Sequence, residues 1–224
     1  MSNIILVRHA QASLGRENYD QLSELGFKQA ELLGKYFTKH RINPAAIISG
    51  DLARHQQTAE QIHKAFEHEI PRHIDKDWNE FEFKRLIQIY LTMHPKERPA
   101  DGDVKAFFSI LKKSMLAWSN DELEDIDEGF ESWKIFSERV SRAIGNTSPH
   151  PEKPTLVVSS GGAIAMLLMQ ILQAPPKVMI DLNFQIRNTS FTEIITKPHK
   201  KNLVAFNQIH HLSETGKSQL ITFA

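Results

Sequence analysis

The sequence predicts an α/β fold: a three-layer sandwich in which a mostly parallel central sheet is covered by helices on both faces. Two observations carry this expectation. Short apolar, β-branched runs alternate along the chain with stretches whose apolar residues recur at helical spacing. The chain also has 224 residues, 41% hydrophobic and 24% charged, enough to bury a real core.

The elements follow in order. Ile4-Ile5-Leu6-Val7 reads as a buried strand, and Ser23 as the cap of a helix carrying Leu25, Leu32, Leu33, Tyr36 and Phe37 at helical spacing. Ala46-Ile47-Ile48 reads as a second strand, and Asp51 as the cap of a helix reaching about His68. A third strand is expected near Ile70 to Ile74. From Lys84 to about Glu128 the pattern changes: Leu86, Ile87 and Tyr90 suggest a helix, Pro95 and Pro99 break it, and Val104 to Trp118 suggest another. The acidic run from Asp121 to Asp125 reads as solvated. Phe130 to Ile144 looks helical and is expected to end at Gly145. After a proline-rich loop from Ser148 to Pro154, Thr155-Leu156-Val157-Val158 is the clearest strand, and Gly161-Gly162 leads into a helix from Ala163 to Leu172. Ser190 to Thr196 and Leu203 to Ile209 read as two final strands. Residues 1–224 are therefore expected to form one domain, with a helical insertion at about 84–128 packed over one end of the sheet.

Composition narrows the function. Lysine plus arginine and aspartate plus glutamate number 27 each, a balance that argues against a broad nucleic-acid or membrane footprint. There is no cysteine, which excludes a disulfide scaffold, a thiol nucleophile and a cysteine metal site. No metal-ligand spacing stands out among the 11 histidines, so neither a metal nor another cofactor is expected. The apolar stretch Ala163 to Leu172 is too short to span a bilayer, and Met1-Ser2-Asn3 runs straight into a strand, so the expected location is cytoplasmic.

In parallel sheets ligands bind beyond the carboxyl ends of the strands, and three such ends carry chemistry here. The first strand ends in Arg8-His9, the second runs into Ser49-Gly50-Asp51-Leu52-Ala53-Arg54, and a third ends in Ser159-Ser160-Gly161-Gly162 at a helix start. Arginine presents a planar fork of donors that matches phosphate, and a helix N-terminus favours anions. The bland alternative is a surface Arg-His pair and an ordinary tight turn at Gly161-Gly162. Spacing alone leaves both open.

Leu6-Val7-Arg8-His9-Ala10 resembles the Arg-His-Gly signature of the histidine phosphatase superfamily, which includes the phosphoglycerate mutase-like enzymes. The resemblance continues through Leu22-Ser23-Glu24-Leu25-Gly26 with Gln29-Ala30, and through Arg54 with Gln57-Thr58-Ala59. It extends to Trp78-Asn79-Glu80-Phe81 and to Phe206-Asn207 with His211-Leu212, nearly the whole chain. What it implies is a phosphoglycerate mutase-like fold and a metal-independent phosphatase. His9 would be the phosphoryl acceptor, Glu80 the acid and base, and Arg8, Arg54, Ser160 and Gly161 the phosphate-binding groups. Glu82 competes with Glu80 for the acid-base role. The implied substrate is a small phosphorylated compound or a phosphoprotein; neither nucleic acid nor membrane is implied, and oligomeric state is left open.

Two residues depart from the pattern. Ala10 replaces the signature glycine, which is mild only if φ there is negative. Ser160 stands where the family usually has a second histidine, with a neutral, shorter hydroxyl in place of an imidazole. His55 could partly substitute, although beside Arg54 it reads more simply as a helix-surface residue. The rival functions are a phosphoglycerate mutase-type phosphotransferase and a catalytically impaired relative that only binds phospho-ligands.

Overall fold

The computed structural model describes residues 2–13, 20–100, 102–123, 129–148, 150–197 and 200–223. Six strands form one sheet: β1 (Ser2–Arg8), β2 (Ala46–Ser49), β3 (Arg72–Ile74), β4 (Thr155–Ser159), β5 (Phe191–Lys197) and β6 (Lys200–Gln208). Their spatial order is β3-β2-β4-β1-β5-β6. Pairing is parallel from β3 through β1, whereas β5 and β6 run antiparallel. The mostly parallel sheet expected from the sequence is present, with an antiparallel hairpin at one edge.

Eight α-helices are found among the described residues. Two of them, α1 (Glu24–Lys39) and α2 (Ala53–His63), cover one face. The others begin with α3 (Phe83–Met93), α4 (Val104–Ser119), α5 (Trp133–Asn146), α6 (Gly161–Leu172) and α7 (Pro176–Asn183), which pack on the second face; α8 (His210–Ser213) follows the last strand. The alternation of side chains along a strand explains how one short run serves two cores. Ile5 and Val7 of β1, with Leu156 and Val158 of β4, meet Leu33, Phe37 and Ile62. Ile4, Leu6 and Val157 point the other way, into a cluster with Met115, Phe136 and Ile164. Full burial of a side chain of this size contributes roughly 1.5–3 kcal/mol.

Local chemistry sets several boundaries. Ser23 caps α1 by accepting from the Gly26 amide at 3.0 Å. Asp51 does not cap α2: its carboxylate accepts from Asn79 Nδ2 at 2.6 Å, and the Ala53 amide donates instead to Asp20 at 2.8 Å. α2 also stops at His63, short of His68, because the chain doubles back and the Ile70 amide donates to His63 Nε2 at 3.2 Å. Gly145 lies within α5; Thr147 ends that helix, its hydroxyl donating to the Ala143 carbonyl at 2.8 Å. α7 was not anticipated, although Pro176 at its first position is a recognised start signal.

Between residues 83 and 119 the chain forms α3, a 3₁₀ turn at Pro95–Glu97, and α4, which pack on one another. Asp121 and Glu122 are exposed, while Glu124 and Asp125 of the acidic run, like the end of the expected insertion at 124–128, lie outside the described residues. Pro149, in the expected proline-rich loop, lies outside them too.

Candidate active site

The parallel pairing of β1, β4 and β2 brings their carboxyl ends to one place: Arg8 stands opposite Ser159, and Ser49 opposite Val158. His9 follows β1 directly, its amide donating to the Ser159 carbonyl at 2.8 Å. The next residue is tied to α2, the Ala10 amide donating to Thr58 Oγ1 at 3.0 Å while the Thr58 hydroxyl donates to the Arg54 carbonyl at 2.7 Å. Ala10 is absent from the residues with positive φ, so the missing signature glycine costs nothing there.

A second segment clamps the same strand end. The Thr189 amide donates to the Arg8 carbonyl at 3.1 Å, and Asn188 Nδ2 donates to the His9 carbonyl at 3.1 Å. Thr189 has φ 55°, a left-handed conformation uncommon for a β-branched residue, and strain of this kind persists only where the surroundings enforce it. Its hydroxyl donates to the Asn188 carbonyl at 2.7 Å and meets His211 Nε2 at 2.9 Å.

His9 is buried, and its Nδ1 lies 2.8 Å from the Ala10 carbonyl. A carbonyl only accepts, so Nδ1 carries the proton and Nε2 keeps its lone pair. Burial, then the charges of Arg54 and Arg8 and the neighbouring His55, hold the imidazole pKa well below its ordinary value. His9 is thus a neutral base with one nitrogen fixed and the other available.

Arg8, His9, Arg54 and Glu80 line one cleft of about 920 Å³. Arg8 Nη1 donates to the Ile186 carbonyl, and Arg54 Nη1 pairs with Asp20 at 2.6 Å. Glu80 Oε2 accepts from the Gly162 amide at 3.0 Å, at the start of α6. A Cβ at position 162 would stand 2.1 Å from Glu80 Oε1, so only glycine lets this carboxylate lie there. Burial pushes the Glu80 carboxyl above its ordinary pKa, opposed by that amide and by the charge of Arg54. The loop holding Glu80 is pinned by Arg139 of α5, which donates to the Asn79 carbonyl at 2.8 Å and pairs with Glu131 at 2.7 Å. Glu82, the competing carboxylate, is exposed beside Arg85 and does not line the cleft.

The remaining expected residues stand differently. Gly161 packs closely, since a Cβ there would lie 2.7 Å from Asn183 Oδ1 and 3.8 Å from Arg8 Cζ. Ser160 is buried at 1% exposure, and its hydroxyl lies 2.6 Å from His55 Nε2. His55 is not a helix-surface residue: it is fully buried, because Arg54, His55, Thr58, Ala59 and Ile62 together form the inner side of α2. Its ring centroid is 5.6 Å from that of His9. Asp20, Asn183, Asn188 and Thr189 were missed in the sequence because they sit at loops and helix ends without periodic signal.

Among the described residues no cluster of His, Asp and Glu could hold a metal ion, and no helix is long and apolar enough to cross a membrane.

A neutral histidine, two arginines and a carboxyl raised by burial share one cleft. The chain belongs to the histidine phosphatase superfamily (branch 1), whose profile matches residues 4–209. Solved structures with the same fold include the alpha-ribazole phosphatase from Shigella flexneri, at 21% identity and TM-score 0.63, covering 92% of this chain and 96% of that one. Phosphoserine phosphatase from Entamoeba histolytica is 21% identical with TM-score 0.65, covering 95% and 100%. Phosphoglycerate mutase from Bacillus anthracis is 16% identical with TM-score 0.64, covering 96% and 98%. No curated protein matches the sequence.

Proposed function

We propose that this protein is a metal-independent phosphomonoesterase that passes its substrate's phosphoryl group through His9. The observation that carries the reading is the hydrogen bond from His9 Nδ1 to the Ala10 carbonyl, which leaves Nε2 as a neutral nucleophile on a cleft shared with Arg8, Arg54 and Glu80.

In the first half-reaction the Nε2 lone pair forms an N–P bond as the ester P–O bond breaks. Glu80, whose carboxyl burial biases toward the protonated form, gives its proton to the departing oxygen, and the alcohol leaves. The two guanidinium groups bind the equatorial oxygens, where charge gathers during transfer. In the second half, Glu80 takes a proton from water, the water oxygen bonds to phosphorus, and the P–N bond breaks. Inorganic phosphate leaves, with His9 neutral and Glu80 protonated again. The related phosphatases of known structure support hydrolysis as the net reaction.

The test is hydrolysis of 4-nitrophenyl phosphate with and without a chelator, together with alkaline quench of the working enzyme. Chelator-insensitive turnover and an acid-labile, base-stable protein phosphate are expected. A strict metal requirement, or no covalent phosphate under rapid quench, overturns the reading.

A further inference from the structure

The cleft extends well past the phosphoryl-transfer residues. Ligand pockets run roughly 300–1,000 Å³, so about 920 Å³ leaves most of the space for whatever the phosphoryl group is attached to. Its wall is made by Val104, Phe107, Phe108 and Leu111 of α4, Phe184 after α7, and Phe223. The four α4 positions fall at i, i+3, i+4 and i+7, one continuous stripe of the helix. Met115 and Trp118 of the same helix are buried in the core, so α4 is apolar toward both the core and the cleft.

Several of these side chains are not covered. Val104 is 63% exposed, Phe223 51% and Phe108 36%, and all three line this cleft. Phe108 and Phe184 stand edge to face with centroids 6.1 Å apart, an arrangement that offers both an aromatic face and an edge to a third ring. A contiguous uncovered apolar wall is costly in water and marks a binding surface. Here it runs directly into the phosphate-binding end. Among the described residues, Lys84 and Arg98, both exposed, are the cations on the cleft beyond Arg8 and Arg54.

We infer that the substrate's leaving group is a ring-bearing, largely apolar alcohol, an aryl or arylalkyl phosphate rather than a small polyol or amino-acid phosphate. The inference rests on the phosphomonoesterase reading and adds the substrate class. Laid against the α4 wall, a polar leaving group would surrender its water to phenylalanines that return no hydrogen bond, whereas a ring gains by burial there; Lys84, Arg98, Asp103 and Asn183 line other parts of the cleft.

The test separates binding from turnover. Benzylphosphonate and methylphosphonate carry the same anion and cannot be hydrolysed, and their affinities for the full chain are measured by calorimetry. Benzylphosphonate is expected to bind at least about tenfold more tightly, from burial of one ring, and Phe108→Ala to narrow that ratio several-fold. Phe108 is at the surface, and circular dichroism confirms that the variant is folded. In parallel, kcat/KM for benzyl phosphate should exceed that for ethyl phosphate, whose alcohol is a similarly poor leaving group. Equal phosphonate affinities overturn the inference, including when sedimentation shows a second copy of the chain covering the wall. Tighter binding of benzylphosphonate with no hydrolysis of either ester supports the apolar subsite and counts instead against the phosphatase reading.

Discussion

His55 Nε2 and Ser160 Oγ lie 2.6 Å apart in the interior, and neither side chain has another hydrogen bond among the described residues. An imidazole from α2 thus reaches the start of α6, at the position where the resemblance led to the expectation of a histidine. Burial and Arg54 keep this imidazole neutral, its pKa well below the ordinary value.

The pair makes Ser160 a structural partner first. Ser160→Ala should strand the buried His55 ring and cost about 1–3 kcal/mol. For a chain of this size that is a fall in Tm of several degrees, at roughly 2–4 °C per kcal/mol. Ser160→His should be worse, because the second ring enters space already held by His55. Adding His55→Ala to Ser160→His should recover much of the lost Tm. A single Ser160→His variant as stable as wild type would contradict this account.

His9→Ala should abolish turnover and the acid-labile phosphate, with the circular dichroism spectrum retained. The backbone at this position is held by Ser159 and Asn188 rather than by the imidazole, so the fold does not depend on the ring.

Arg54→Lys should lose about 10²–10³ in kcat/KM, the usual cost of removing one transition-state donor. Lysine keeps the charge but not the planar fork that can hold Asp20 and a phosphoryl oxygen together. Near wild-type kinetics would remove Arg54 from the phosphate site.

Glu80→Gln should slow ethyl phosphate far more than 4-nitrophenyl phosphate, because an alkoxide needs the proton and a nitrophenolate does not. The substitution also has a stability signature. The folded pKa of Glu80 lies above its unfolded value, so its contribution is fully present below the ordinary carboxylate pKa and is lost as pH rises through the raised one. Urea midpoints of wild type and Glu80→Gln, compared across that window, should converge at low pH and favour the variant at high pH.

His211 has the opposite sign. Its Nε2 faces the Thr189 hydroxyl, which already donates to Asn188, so Nε2 is the donor and Nδ1 is buried without a proton. Burial brings its pKa from 6.5 to about 3. The unfolded chain therefore takes up the proton first, and stability is lost as pH falls from 6.5 toward about 3. His211→Gln should flatten that part of the acid-unfolding curve.

How much of this was legible in the sequence depends on whether a residue announced itself through a repeating pattern. β1, β4, α1 and α6 did. Arg8 ends the apolar run of β1 and His9 follows it, but Arg54 lies inside α2, and the roles expected of all three came from the family resemblance rather than from any pattern. His55 did not announce itself. Gln56 beside it is exposed and Gln57 partly so, and only the packed structure shows which side of α2 faces inward. The Asn188–Thr189 clamp was hidden for another reason: it is non-repeating backbone, whose conformation is imposed by the strand end it holds. The aromatic wall of the cleft was invisible because it is assembled from α4, the end of α7 and Phe223, which are far apart in the chain.

The position of β1 in the sheet has a consequence for synthesis. Its parallel neighbour is β4, with Ile4 against Thr155, and its other neighbour is β5. At roughly 5–20 residues per second, a ribosome needs on the order of 10–30 s to make the intervening 150 or so residues. Throughout that time the most apolar strand, Ile4 to Val7, has been translated but has neither partner to pair with. The nascent chain should therefore be a client of chaperones that hold extended apolar segments. His9 becomes part of a working site only after β4 and the Asn188–Thr189 segment have emerged and docked, so recovery of activity is a late marker of folding.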